Sequence, residues 1–178
     1  KAMIGATIKL PGALKQTQAY PFLVYALNQA GYYELIGLIR RLSHQPLSPS
    51  AIWDYLTQSC HNLVYISCGH ASEVEQTLIH SGDQEAGLVL ERLGQVFGPG
   101  NVYLGVAAFP YNPVEGEAVK ALAKSQQVPL VVGQGVSTLN QGDAFSLKVL
   151  EAIGANETLD VELRAMQGVH YVYNWADL

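Results

Sequence analysis

The chain has 178 residues, a formal net charge of −5 and a hydrophobic fraction of 49%, which suits a single α/β domain with a sizeable core. No apolar run reaches the roughly 18 residues that cross a bilayer, and no signal-peptide pattern is present, so we expect a cytoplasmic protein without membrane contact. The ten basic residues are scattered, which argues against an extended surface for nucleic-acid phosphates. Two cysteines, Cys60 and Cys68, are too few for a disulfide framework and lack zinc-site spacing.

Apolar runs bounded by turn residues predict the first elements. Met3 to Leu10 and Tyr20 to Leu27 are rich in β-branched and aromatic residues and flank a Pro-Gly turn, which is typical of a β-hairpin. The apolar residues from Tyr32 to Leu42 fall on one stripe of a helix. A second helix is expected to open near Ser50, with Ser48 or Ser50 as its N-cap.

Strands and helices alternate through the rest of the chain. The predicted elements are a strand at Leu63 to Ser67, helices at Glu73 to Ile79 and Asp83 to Phe97 (capped by Asp83), a strand at Val102 to Ala108, a helix at Glu115 to Ser125, a strand at Leu130 to Val132 and a helix at Ala144 to Ile153 stopped by Gly154. Such alternation indicates an α/β fold with a mostly parallel sheet and outer helices. The last three strands should be parallel neighbours joined by right-handed crossovers.

Several segments form an ordered series of motifs. They are Lys1 to Gly5, Asn28 to Leu35, Leu63 to Gly69, Gly82 to Leu104, Val128 to Asp143, Ala144 to Leu159 and Tyr171 to Leu178. The series resembles the PHP (polymerase and histidinol phosphatase) domain of bacterial DNA polymerase III alpha subunits. This resemblance implies a distorted (β/α)7 barrel, here lacking the first strands, because the family's N-terminal "HxHSxfS" and "tDHg" segments do not precede Lys1. Residues 1–178 are then expected to be a single partial PHP domain of a larger polymerase chain.

The resemblance also implies where metal ligands should lie, since barrel enzymes place functional groups at the carboxyl ends of their strands. The family has Cys, Glu, Asp and His at the positions held here by Gly69, Gly105, Gly135 and Ser137, respectively. Three residues are near misses: Cys68, His70 and Asp143. Glycine has no side chain to coordinate a metal, so we expect no metal, no cofactor and no catalytic residue in this chain.

Two other chemical interpretations remain open. Cys68 and His70 are close enough in sequence to form an activated thiol pair, but no orienting partner is evident, and a small cysteine beside a loop histidine is the simpler interpretation. Gly133-Gln134-Gly135 resembles part of a phosphate-binding loop. It lacks the third glycine and the Lys-Ser/Thr pair of that motif.

The resulting hypothesis is a structural and interaction segment of the replicative polymerase, itself non-catalytic. The expected partners are the remainder of the alpha subunit and replisome proteins, with DNA contacted mainly through other domains. An exposed sheet edge or apolar surface should also make the isolated piece self-associate. The alternatives are a metal-dependent phosphoesterase or 3′-5′ proofreading exonuclease with a reduced ligand set including His70 and Asp143, and a small stand-alone (β/α) metabolic enzyme.

Overall fold

The computed structural model describes residues 3–44, 47–67, 69–106, 113–132 and 143–156. Contacts between Cα atoms divide the chain into two compact units, Lys1–Gly133 and Gln134–Leu178. The first unit contains every described strand and most of the described helices. In the part of the chain that the structure describes, no helix is both long and apolar enough to span a membrane.

Helices and strands alternate along the first unit after an initial hairpin. The elements are β1 (Gly5–Pro11), β2 (Ala19–Ala26), α1 (Gln29–His44), α2 (Pro49–Ser59), β3 (Leu63–Ile66), a 3-10 turn (Gly69–Ala71), α3 (Glu73–Ser81), α4 (Asp83–Phe97), β4 (Val102–Val106), α5 (Pro113–Gln126) and β5 (Leu130–Val132). The second unit contains α6 (Ala144–Ala155).

The five strands form one sheet in the order β1-β2-β3-β4-β5. The β1–β2 and β2–β3 pairs are antiparallel, whereas β3–β4 and β4–β5 are parallel. The predicted hairpin is confirmed, with Gly5 opposite Tyr25. The three predicted parallel neighbours are also confirmed, with Tyr65 opposite Val102 and Leu104 opposite Leu130. The α/β class follows from this sheet and its helices.

An aromatic cluster joins the sheet to its helices. Phe22 of β2 lies 6.0 Å from Trp53 of α2 and 5.3 Å from Tyr65 of β3, measured between ring centroids. Tyr65 in turn stacks on Phe97 of α4 at 5.7 Å. The Trp53 indole N–H donates to the carbonyl of Gly12 at 3.1 Å, so its polar atom is satisfied although the side chain is buried.

The segment Asn28 to Leu35 ties the start of α1 to the residues before β3. Asn28 Oδ1 accepts from the Gly31 N–H at 3.0 Å, and Asn28 Nδ2 donates to Asn62 Oδ1 at 3.1 Å. The Glu34 carboxylate accepts from the Asn62 backbone N–H at 2.9 Å and side-chain Nδ2 at 2.7 Å. A Cβ at position 31 would lie 2.1 Å from the Asn62 carbonyl oxygen, so only glycine fits. This motif therefore has a structural role.

Of the two predicted helix caps, one is confirmed and one is wrong. Ser48 is the N-cap of α2, and its hydroxyl accepts from the Ala51 N–H at 3.3 Å. Asp83 does not cap α4: the N-cap is Gly82, which makes no side-chain hydrogen bond, and Asp83 lies in the first helical turn. Gly82 also ends α3 with φ of +89°. This one-residue junction requires a backbone conformation that favours glycine, so a side-chain cap is lost.

The predicted stop at Gly154 is also wrong. Helix α6 continues through Gly154 to Ala155, and Asn156 closes it in the left-handed conformation with φ of 54°. A lone glycine costs a helix only about 1 kcal/mol relative to alanine and does not have to end it. Asparagine tolerates the left-handed region, and its N–H bonds the last helical carbonyls.

Candidate functional site

Because β3, β4 and β5 are parallel, their carboxyl ends lie at one edge of the sheet, where a PHP-like metal centre would be expected. The described residues at this edge include Ser67 and Gly69 after β3 and Gly105 near the end of β4. Three predicted positions, Cys68, Gly135 and Ser137, lie outside the described residues.

Gly105 is fixed by the close approach of the two strands. Its N–H donates to Ser67 Oγ at 3.0 Å. A Cβ at this position would lie 2.5 Å from the Ser67 carbonyl oxygen, a backbone atom that cannot turn away. Any side chain here, including a ligating glutamate, requires the strands to move apart. Close packing of β3 and β4 thus requires glycine at this position, in addition to the absence of the family's ligating glutamate.

Gly69 is required for a different reason. It opens the 3-10 turn after β3 with φ of +68°, a left-handed conformation in which a cysteine would be strained. Its neighbour His70 is exposed in the same turn, and the His70 carbonyl accepts from Gln76 Nε2 at 2.6 Å. The backbone conformation at position 69 therefore disfavours the metal-ligating cysteine that the family has there.

A buried polar cluster lies directly behind Gly105. Ser67 Oγ donates to Glu75 Oε1 at 2.5 Å, and the Ser72 hydroxyl donates to Glu75 Oε2. All three side chains are at least 96% buried. Burial raises the pKa of Glu75 to about 7, although its hydrogen bonds to Ser67 and to its own backbone act in the opposite direction. The chain Gly105–Ser67–Glu75–Ser72 connects β4, β3 and α3 through hydrogen bonds, and we call it the strand-end relay.

A second buried carboxylate, Glu73, is held two residues earlier on α3. It accepts hydrogen bonds from three consecutive backbone N–H groups in the loop after β1: Ala13 at 2.5 Å, Leu14 at 3.0 Å and Lys15 at 3.0 Å. Burial, followed by the Glu73 charge, raises the pKa of the nearby Tyr20 phenol. Glu73 therefore fastens α3 to the hairpin loop.

Sequence reasoning missed both glutamates and both serines as site residues. One local signal was available: Ser72-Glu73-Val74-Glu75 fits the S-x-x-E pattern of a helix capping box, and Ser72 is the observed N-cap of α3. The bonds from Ser67 and from the hairpin loop join residues far apart in sequence. No spacing rule predicts those bonds.

Two further candidates are Cys60 and Asp143. Cys60 is a buried free thiol, and burial, reinforced by the Glu34 charge, raises its pKa to about 12, so the nucleophilic thiolate is suppressed. Asp143 precedes α6 in the second unit and makes no side-chain cap hydrogen bond. Cys68 of the predicted Cys68–His70 pair lies outside the described residues.

These residues do not fit a PHP-type metal centre. Within the described ranges, no group of three or more His, Cys, Asp or Glu side chains is arranged to hold an ion. The backbone favours glycine at both family ligand positions described here, through the positive φ of Gly69 and the close Ser67 carbonyl beside Gly105. The carboxyl groups of Glu73 and Glu75 on α3 are buried and already bonded within the fold. A metal needs about three protein ligands in suitable geometry, and the described residues at this edge do not provide them.

The comparison with protein families agrees with this fold. The sequence model of the PHP domain family matches residues 1–108, which span the hairpin, α1 to α4 and β4. The chain belongs to the PHP domain family. A search of curated proteins found no match.

Proposed function

We propose that the chain is a PHP-domain segment of a bacterial, cytoplasmic replicative DNA polymerase III alpha subunit and acts there as a structural and interaction module. Membership of the PHP family and the ordered motif series support this parentage. In such a polymerase, nucleotidyl transfer is two-metal chemistry on carboxylates of a separate palm domain. Sequencing the reading frame around this chain tests the parentage: a palm domain downstream is expected, and its absence would contradict the proposal.

The geometry at the strand ends supports the proposal that this segment is itself non-catalytic. A Cβ at Gly105 would lie 2.5 Å from the Ser67 carbonyl oxygen, so a ligand side chain at this position would require β3 and β4 to move apart. A PHP hydrolase needs several ligands at this edge, and restoring one of them would leave the site incomplete.

The architecture we propose is a single partial PHP domain over residues 1–178, with the sheet forming part of a distorted (β/α)7 barrel. The parallel β3-β4-β5 order, with helices in both connections, supports this arrangement. An experimental structure of the longer protein tests it. A closed ring of strands is expected, and a flat, open sheet would contradict the barrel.

The proposed interaction surface is an apolar face beside the hairpin. Met3, Ile4, Leu27 and Tyr32 are all exposed and line a groove of about 560 Å³. We propose that the remainder of the alpha subunit covers this face and that replisome proteins bind the assembled subunit. The isolated piece should then self-associate through the face. Light scattering is expected to show a dimer or larger species, and a monomer at high concentration would contradict this part of the proposal.

One alternative has an observation in its favour. His70 is exposed immediately beyond the carboxyl end of β3, as a ligand of a reduced phosphoesterase or proofreading exonuclease site would be. The test is hydrolysis of bis(p-nitrophenyl) phosphate and of single-stranded DNA with added Mn²⁺ or Zn²⁺. We expect no activity above a protein-free blank. Activity that is lost in both His70→Ala and Asp143→Asn would establish the reduced site instead.

A further inference from the structure

A cationic groove lies between the carboxyl-terminal half of α1 and helix α2. It has a volume of about 670 Å³, within the range of small-molecule sites. Its lining residues are Gly37, Arg40, Arg41, His44, Leu47 and Tyr55. No carboxylate is among these described lining residues, although acidic residues outnumber basic ones by 15 to 10 in the whole sequence. The groove therefore presents cationic and hydrogen-bond-donating groups whose charge no described lining carboxylate neutralises.

The groove is built by close packing of the two helices. A Cβ at Gly37 would lie 3.2 Å from the Tyr55 hydroxyl, so glycine allows the phenol to approach α1 closely. The Arg41 guanidinium lies 4.8 Å from the centroid of the Tyr55 ring. Such a cation–π contact restrains the guanidinium while its edge N–H groups remain able to donate. Tyr55 thus helps to position Arg41 and also contributes a hydroxyl.

The helix dipole alone does not account for this arrangement. Arg41 and His44 lie in the last turn of α1, where cations are favoured. However, Arg40 is also exposed and makes no hydrogen bond or ion pair within the described residues. Two arginines from one helix and a phenol from the next converge on one groove. That convergence is typical of anion recognition.

We propose that this groove binds one phosphate monoester group, through the guanidinium groups of Arg40 and Arg41 and the hydroxyl of Tyr55. The planar, multi-donor guanidinium matches the oxygens of a phosphate, and the ester phosphate carries more charge than a carboxylate. The scattered distribution of the other basic residues limits the site to a single phosphoryl group. A free nucleotide and the 5′-phosphorylated end of a nucleic-acid strand share this chemistry. The inference does not depend on the polymerase parentage.

Calorimetric titration of the purified protein with thymidine 5′-monophosphate tests the proposal. Thymidine, which lacks the phosphate, should bind at least about tenfold more weakly, because it loses the charge-assisted hydrogen bonds. Inorganic phosphate should compete with the monophosphate. Equal binding of the nucleoside and the monophosphate, or no binding of the monophosphate at millimolar concentration, would overturn the proposal. A 5′-phosphorylated oligonucleotide that binds more tightly than the monophosphate would identify a strand end as the source of the phosphate.

A matched pair of double variants separates this site from general electrostatics. Arg40→Gln with Arg41→Gln should weaken monophosphate binding by about tenfold or more. The control, Lys9→Gln with Lys124→Gln, removes the same charge from exposed positions outside the groove. It should change the affinity for the monophosphate by less than about twofold. Equal losses in the two variants would overturn the site. If the arginine variant fails to fold by circular dichroism, Arg40→Gln alone decides, since Arg40 is exposed and makes no hydrogen bond or ion pair within the described residues.

Discussion

Glu73 and Glu75 lie buried two residues apart on α3 but are held in different ways. The Glu73 carboxylate accepts from three backbone N–H groups, which can only donate. Glu75 lies between the hydroxyls of Ser67 and Ser72, which can donate or accept, and burial raises its pKa to about 7. The comparison shows that both acidic residues hold parts of the fold together through hydrogen bonds. The surroundings of Glu73 offer donors, whereas the hydroxyls beside Glu75 could also accept a hydrogen bond from its protonated carboxyl.

Removing Glu73 should have the largest effect on stability. Glu73→Ala leaves three backbone N–H groups of the hairpin loop without their acceptor, which should lower the free energy of unfolding by about 4 kcal/mol. Urea denaturation followed by circular dichroism measures the loss. Glu117→Ala is the matched control, because Glu117 forms an exposed surface pair with Lys120 at 2.7 Å, worth at most about 1 kcal/mol. Equal, small losses would contradict the assigned role of Glu73.

Glu75 should make stability depend on pH in the opposite sense to an ordinary salt-bridged acid. Its pKa is raised from 4.5 to about 7 in the folded protein, so the folded state holds a proton that the unfolded state has released across this window. Its contribution is therefore fully present below pH 4.5 and is lost as pH rises through 7, a change of about 3 kcal/mol. Glu75→Gln, which stays neutral, should abolish this slope in urea denaturation between pH 4.5 and 8. An unchanged slope in the variant would assign the pH dependence to other groups.

Two glycine substitutions test the strand-end packing with a smaller expected effect. Gly105→Ala places a Cβ against the Ser67 carbonyl oxygen and should lower the free energy of unfolding by about 2 kcal/mol. Gly94→Ala is the matched control, since a Cβ there meets no atom within 4 Å in helix α4. It should instead stabilise the protein by about 0.5–1 kcal/mol. Thermal unfolding compares the two, and a Gly105→Ala variant as stable as Gly94→Ala would show that the strand ends have room for a side chain.

The sequence allowed prediction of those features that depend on local patterns. Two apolar runs on either side of a Pro-Gly turn predicted the β1–β2 hairpin, and the Ser48 cap followed from a side chain close to the amides that it satisfies. The cap at Asp83 and the stop at Gly154 failed because the backbone path at each helix end, rather than residue preference, decided the outcome. These errors lie at helix boundaries and leave the order of elements unchanged.

The strand-end relay could not be predicted for a different reason. Gly69 and Gly105 were recognised as positions without ligands, but no sequence pattern indicates that the backbone requires glycine there. At Gly105 that requirement comes from the approach of β4 to Ser67, 38 residues away in the chain. At Gly69 it comes from the positive φ of the turn after β3. Glu73 likewise meets a loop about 60 residues away. Such contacts exist only after folding.

The most direct test of the central claim is the metal content of the purified protein. The protein should be expressed in medium supplemented with zinc, manganese and iron, freed of unbound ions and measured by plasma mass spectrometry. Because Gly69, Gly105, Gly135 and Ser137 supply no imidazole, carboxylate or thiolate, we predict well below about 0.1 metal ion per chain at a site that needs about three ligands. A stoichiometric transition metal that is lost in Cys68→Ser, His70→Ala or Asp143→Asn would contradict the structural role and establish a reduced-site hydrolase.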